Sequence, residues 1–426
     1  MLDLKFIREH PDAVKKGIKN KRESGDVKQI LALDAQRRKI LQKVEKLKHD
    51  RNTFSQDVSK LKKEGKNADK IIEKTRSVSQ QIKELDESLK ALETDLNDQL
   101  YRIPNLPHKS VPVGKGEADN VVIKAWGQIP DFDFDISDHL EICERLDIAD
   151  FPRGSKVTGR GFPVYKGMGA QLERALLNFM LDLHTSQHGY REIFPPFVVN
   201  RTSMRGTGQL PKLEEDMYHC EIDDLFLIPT AEVPITNLHR DEIFHADEIP
   251  LNYCAYSACF RREAGSWGKD TRGFLRLHQF NKVEMVKFVD PETSYNELEF
   301  LLENACRVLE MLGLPYRVIE LCTADLSFAA AKCYDIEVWS PHGQNWLEAS
   351  SCSNFEDFQA RRMNIRFRRK ADAKPEFVHT LNGSGVATSR LIVALLEVYQ
   401  NEDGSVTVPP ALQKYTGFKK ITREVR

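Results

Sequence analysis

Between residues 27 and 100 the chain carries a single glycine, Gly65, no proline and a high density of charge. The residues that usually interrupt helices are missing from it. Leu33, Ile40, Val44, Leu47, Phe54, Val58 and Leu61, with Arg37 and Arg51 at two further positions, recur in alternating steps of four and three. That spacing lays them along one stripe of a helix. After a polar break over 62–70 the register returns in Ile71, Val78, Ile82, Leu85, Leu89, Leu92 and Leu96. Two helices joined by a tight polar turn predict an antiparallel coiled-coil arm. At about 1.5 Å per residue each helix would run roughly 50 to 55 Å, more than a globular domain covers, so the arm is expected to stand in solvent. Residues 27–64 hold 11 Lys/Arg against 5 Asp/Glu, whereas 66–100 hold 6 against 8. The basic first helix is compatible with a solvated coiled coil that uses lysine for solubility, and by itself it identifies no partner.

The rest of the 426 residues is enough for a separate core, so two domains of unequal kind are expected. A net charge of -2 excludes a polyanion-binding surface spread over the whole molecule and leaves only local ones. The eight cysteines form no C-x-x-C pair and no Cys/His cluster of zinc spacing, which reads as reduced thiols. The N-terminus mixes Asp3, Lys5, Arg8 and Glu9 with apolar residues and has no secretory core, and no window approaches a membrane span. A cytoplasmic location is expected.

Pro104, Pro107 and Pro112, followed by Gly114 and Gly116, mark a linker. The expected organisation is an N-terminal domain over 1–103 bearing the arm, a linker over 104–120 and a second domain over 121–426. In the second domain Leu172, Leu176, Phe179, Met180 and Leu183 share a helix face, and strand-like runs fall at 193–199, 225–229, 251–260 and 274–289. Helical stretches follow at 295–312 and 390–399. Strands succeed one another without regular helical alternation, which predicts an α+β fold, an antiparallel sheet flanked by helices.

Four segments carry chemistry. Residues 260–284 read as a strand-loop-strand hairpin with Arg261, Arg262, Lys269, Arg272, Arg276 and Lys282 against Glu263, Asp270 and Glu284, and with Gly265, Gly268 and Gly273 in the connection. A period of two would place Arg276, Phe280 and Glu284 on one face of the second strand, and Arg261 with Glu263 on one face of the first. Guanidiniums bind phosphate, a ring stacks on a base, and a carboxylate accepts from ammonium or hydroxyl, although an ordinary surface hairpin with cross-strand ion pairs has the same composition. The second segment runs from Asn382, Gly383, Ser384 and Gly385 to Ser389 and Arg390, a small-residue turn that would aim an arginine from a helix start. In the third, Glu348, Ala349, Ser350 and Ser351 supply hard oxygen ligands suited to magnesium, or form a serine-rich loop. The fourth, Thr230, Ala231 and Glu232 after an apolar strand, is weak alone. His278 is expected to be a hydrogen-bonding residue with no catalytic role.

Taken together these segments resemble the seryl-tRNA synthetases of bacterial type, a family of class II aminoacyl-tRNA synthetases. The likeness runs from the opening Leu2 to Arg8 and the arm through Ile103, Pro104, Asn105, Leu106 and Pro107. Residues 189–196 look like class II motif 1, 260–284 like motif 2 and 382–396 like motif 3, and the run from Glu348 through Phe355, Asp357, Gln359 and Arg362 is characteristic of the seryl enzymes. The resemblance implies ATP-dependent attachment of L-serine to tRNA(Ser) through a seryl-adenylate, with tRNA(Sec) a second candidate acceptor. It gives Arg261 and Arg390 as catalytic, and Thr230, Ala231, Glu232, Arg261, Glu284, Thr380, Asn382 and Ser384 as the serine site. For ATP it gives Arg261, Arg262, Glu263, Arg276, Phe280, Glu348, Ala349, Ser350, Ser351 and Arg390, with Glu348 and Ser351 holding Mg2+. Arg262 stands where many members have serine, and Ser389 where many have glycine. A homodimer through motif 1 is implied, as is an arm that grips the long variable arm of the tRNA. Two other readings are a paralogue that adenylates an amino acid for a non-tRNA acceptor and a non-catalytic RNA-binding coiled-coil protein.

Overall fold

The structure is a computed structural model that describes residues 1–263 and 272–423. Gly265, Gly268, Lys269 and Asp270 of the central hairpin lie outside the described residues. The chain divides into two compact units, Leu2–Lys19 with Glu23–Pro104, and Asn105–Arg426 with Met1 and Asn20–Arg22.

In the first unit, helix α1 (Val27–Lys63) and helix α2 (Asp69–Tyr101) form the antiparallel pair. The Asp26 side chain caps α1 by accepting from the Gln29 N–H at 2.9 Å, and Lys60, Lys62 and Lys63 sit in its last turn, where the helix dipole favours positive charge. Gly65, at φ +66°, turns the chain between the helices. Every position of the predicted stripe is at least half-buried, from Leu33, Arg37 and Ile40 through Val44 to Leu61 on α1, and from Ile71 to Leu96 on α2. On the stripe Arg37 pairs with Glu93 at 2.8 Å, and outside it Lys48 lies 3.9 Å from Asp86.

The second unit is organised by an eight-stranded sheet. In chain order its strands are β1 (Val121–Trp126), β2 (Arg191–Glu192), β3 (Leu251–Phe260), β4 (Gln279–Val289), β5 (Tyr316–Glu320), β6 (Lys332–Ser340), β7 (Asn345–Asn354) and β8 (His379–Ala387). Across the sheet they run β1-β5-β6-β7-β8-β4-β3-β2, and every pairing is antiparallel except β2 with β3. One face carries Val283, Met285, Ile336, Cys352 and Leu381. It is covered by helices α3 (Gly167–Ser186), α5 (Ser294–Leu312) and α7 (Thr388–Val398), which bury Leu172, Leu176, Leu301, Leu309, Leu391 and Leu395. Short helices α4 (Glu232–Asn237) and α6 (Phe358–Met363) pack over a second apolar cluster around Ala231, Val286, Phe288 and Ala360.

Four segments differ from expectation. The run at 274–289 begins as strand only at Gln279; Phe274 is instead buried, stacked 5.2 Å from Tyr165. Glu348 to Asn354 is no loop but the C-terminal part of β7, and Asn382 to Ala387 is the end of β8 rather than a turn. Glycine suits β8 because a Cβ on Gly383 would meet Cys352 Sγ at 2.9 Å and one on Gly385 would meet His184 Nε2 at 2.5 Å. Over 193–199 strand structure is confined to the start of the short strand Val198–Asn200, since Pro195 and Pro196 supply no N–H.

Candidate active site

The face of the sheet opposite the three long helices opens into a cavity of about 870 Å3, within the range of sites that enclose small ligands. Alternation along β4 points Phe280, Lys282 and Glu284 to this side, as the sequence predicts for Phe280 and Glu284. Arg276 precedes β4, and Arg261 and Glu263 follow the end of β3, so strand periodicity does not position them; all three nevertheless line the cavity. Arg276 Nη1 donates to Glu263 at 2.6 Å, and the Arg261 guanidinium lies 5.1 Å from the Phe280 ring centroid.

The floor is ionic. Lys282 and Glu284 form an ion pair with side chains 7% and 0% exposed, Lys282 Nζ donates to Thr230 Oγ1 at 2.9 Å, and Asn382 Nδ2 donates to Glu284 at 2.8 Å. A buried pair such as this is costly to leave half-made, so each member constrains the other. Glu232 lies at the same end, and burial, reinforced by the Glu284 charge, pushes its carboxyl up to about 7. Gln359 holds it: Gln359 Nε2 donates to Glu232 at 2.6 Å while Thr380 Oγ1 donates to the Gln359 carbonyl at 2.7 Å. Thr380 therefore reaches the site through Gln359 rather than lining it.

Glu348 and Ser351 are three residues apart, and regular alternation would send them to opposite faces. A bulge at Ala349 breaks the register: Glu348 pairs with Glu337 while Ser350 pairs with Ile336. Glu348, Ser351 and Ser353 thereby share the cavity side. Asp335 lies directly opposite Ser351 on β6, and burial together with the Glu348 charge pushes its carboxyl well above the usual range. The Ser351 hydroxyl and the Glu348 and Asp335 carboxyls supply hard oxygen ligands that fit Mg2+. Arg390, in the first turn of α7, donates to the Glu348 carbonyl at 2.7 Å and to its carboxylate at 3.2 Å.

Of the residues singled out from sequence, Thr230, Glu232, Arg261, Glu263, Arg276, Phe280, Glu348, Ala349, Ser350, Ser351, Asn382, Ser384 and Arg390 line this one cavity. Ala231, Glu284 and Thr380 are fully buried beneath it. Arg262 is exposed, with its guanidinium 5.7 Å from the Tyr218 ring centroid, and does not line the cavity. His278 pairs through Nδ1 with the Tyr218 hydroxyl at 2.8 Å, the hydrogen-bonding role expected of it. Sequence reasoning missed Lys282, Gln359 and Asp335. Lys282 was legible as the residue between Phe280 and Glu284 on their common face, but it entered only as one cation among six.

Residues 1–107 match the seryl-tRNA synthetase N-terminal domain, and 218–399 match the class II tRNA synthetase core domain (G, H, P, S and T). The chain is 57% identical over its full length to the serine--tRNA ligase of Carboxydothermus hydrogenoformans, of which it covers 100%, and 56% identical to that of Geobacillus kaustophilus, with 99% and 100% covered. The crystal structure of seryl-tRNA synthetase from Pyrococcus horikoshii complexed with ATP superposes with a TM-score of 0.93 at 40% identity, each chain covered completely. The cavity residues and these likenesses agree: the chain belongs to the seryl-tRNA synthetase family, a class II tRNA synthetase whose reaction is the ligation of serine to tRNA.

Proposed function

We propose that the cavity activates serine with ATP and passes it to tRNA, with Glu232, Glu284 and Asn382 reading the amino acid and Arg261, Phe280 and Arg390 holding the nucleotide. The observation that carries this is the meeting, in one cavity, of the Lys282–Glu284–Asn382 floor with the Arg261–Phe280 and Arg390–Glu348 groups. Serine's carboxylate is ionised at neutral pH, so an oxygen attacks the α-phosphorus without a general base. The bond to pyrophosphate breaks and seryl-adenylate remains; a ribose hydroxyl of the terminal adenosine of tRNA then attacks the carbonyl and AMP departs. Arg261 neutralises charge at the α-phosphate, and Phe280 offers its ring to adenine. Glu232, once ionised, receives serine's ammonium, while Glu284 and Asn382 face its hydroxyl. Alanine and glycine lack the hydroxyl and would leave these buried polar groups unpaired. Glu348 and Ser351, with Asp335 beside them, would hold Mg2+, which supplies charge neutralisation on the phosphates.

The arm is proposed to grip tRNA(Ser) through its basic helix α1, with tRNA(Sec) tested as a second acceptor. The domain limits read from sequence, 1–103, 104–120 and 121–426, are kept as the division of labour. A homodimer through the motif 1 region is supported by Phe194, 75% exposed beside Phe197. No helix among the described residues is long and apolar enough to cross a membrane, and a cytoplasmic location is proposed. Serine-dependent exchange of pyrophosphate into ATP tests the central reading. Absence of exchange would overturn it, and exchange without charging of tRNA would favour the paralogue.

A further inference from the structure

Behind the cavity, on the helix-covered face, α3 contributes one charged side chain to the core. Glu173 is 5% exposed among Leu172, Leu176 and their neighbours. Its Oε1 accepts two hydrogen bonds, from Asn281 Nδ2 at 2.7 Å and from Thr388 Oγ1 at 2.7 Å. Thr388 Oγ1 also lies 3.0 Å from the Asn281 carbonyl, which closes a three-membered cluster. The other oxygen, Oε2, is buried with no hydrogen-bond partner among the described residues. Burial pushes the carboxyl up to about 7, so stability alone does not account for an acidic residue here.

The positions of the two donors give the cluster its meaning. Asn281 is flanked by Phe280 and Lys282, whose side chains face the cavity from the opposite side of β4. Thr388 is the first residue of α7, two before Arg390. Just upstream, β8 leaves its regular register: Lys282 pairs with Ala387 but Glu284 with Ser384, and the buried Val386 adopts φ +83°. A β-branched residue in that conformation is strained and is held by its surroundings. The backbone of β4 is pinned at Lys282 by ladders on both sides, to Ser257 and to Ala387, whereas the start of α7 lies beyond the last paired residue of β8. Two ties join them, the Thr388 Oγ1–Asn281 carbonyl contact and the Glu173 carboxyl that holds both side chains.

We propose that Glu173 is a positioning residue for the nucleotide half of the site, fixing Arg390 relative to Phe280 by clamping Thr388 to Asn281 from behind the sheet. This rests on the ATP assignment above. It assigns no contact with substrate to Glu173. Because Lys282, Glu284 and Asn382 are held by their own ladders and ion pair, loosening the clamp displaces the nucleotide groups and spares the serine groups.

The test is pyrophosphate exchange by the full-length protein, with KM measured separately for ATP and for serine in wild type, Glu173→Ala, Glu173→Gln and Thr388→Val. A displacement of about 1 Å costs up to about a hundredfold, so Glu173→Ala is expected to raise KM for ATP about tenfold or more while KM for serine stays within about twofold. Glu173→Gln keeps the Oε1 acceptor and is expected to restore KM for ATP to within about threefold of wild type. Thr388→Val removes one donor at constant shape and should reproduce the ATP effect; it decides alone if circular dichroism shows Glu173→Ala to be unfolded. An unchanged KM for ATP in Thr388→Val, or equal rises in both KM values in folded Glu173→Ala, would overturn the proposal. Failure of wild type to exchange with serine would instead overturn the assignment of the site.

Discussion

The arm and the cavity both pair lysine or arginine with glutamate, and the pairs do opposite things. Arg37 and Glu93 in the arm remain 32% and 41% exposed, whereas Lys282 and Glu284 in the cavity are 7% and 0% exposed. Exposed pairs are screened and contribute at most about 1 kcal/mol, so the arm's charges serve its surface rather than its fold. The buried pair cannot lose one partner without stranding the other in a dry environment. The same residue types therefore serve as an adaptable surface in one region and as a fixed floor in the other.

That contrast is broken or sharpened by four measurements. The largest effect is expected from replacing residues 27–101 with a short linker: charging of tRNA should fall by about three orders of magnitude or more while serine-dependent exchange stays within about threefold. Equal loss of both would erase the division between the regions. Next, Glu284→Ala should lower kcat/KM for serine about a hundredfold or more, by removing the hydroxyl's partner and stranding Lys282, with KM for ATP little changed. The third effect concerns pH. Glu232, held up to about 7 by burial and by Glu284, must ionise to receive serine's ammonium. Its carboxylate fraction rises with pH through that value, so KM for serine should be about tenfold higher at pH 6 than at pH 8. A flat or inverted profile would exclude Glu232 as the ammonium partner. The smallest effect is expected from Arg37→Ala in the arm, less than about 1 kcal/mol in thermal unfolding. A larger loss would show that the arm too is held by its ion pairs.

Much of this was legible without coordinates because it depends on short-range periodicity. The three-and-four spacing from Leu33 to Leu61 sets which side of α1 is covered, whatever the rest of the chain does. The motif residues could likewise be found as residue types in order, and thirteen of those singled out line the cavity. What was not legible depends on register and on contacts between distant segments. Alternation places Phe280 and Glu284 together correctly, yet the same rule applied to Glu348 and Ser351 gives opposite faces until the bulge at Ala349 is known. The resemblance places Thr380 with the serine site, and nothing in a linear order shows that Gln359 stands between it and Glu232.

By itself, then, the order of amino acids determined the two long helices, their stripe and their uneven charge, since a helix face is defined within a few turns of chain. It also set out the arginines, aromatic ring and carboxylates that are proposed to bind phosphate, adenine and serine. Only the tertiary structure decided how they meet: that Arg276 reaches the cavity from outside a strand, that Lys282 is buried against Glu284, and that Glu173 joins β4 to the start of α7 across more than 100 residues of sequence. Bulges and long-range ladders set those meetings, and their energies arise between segments that carry no local sign of each other.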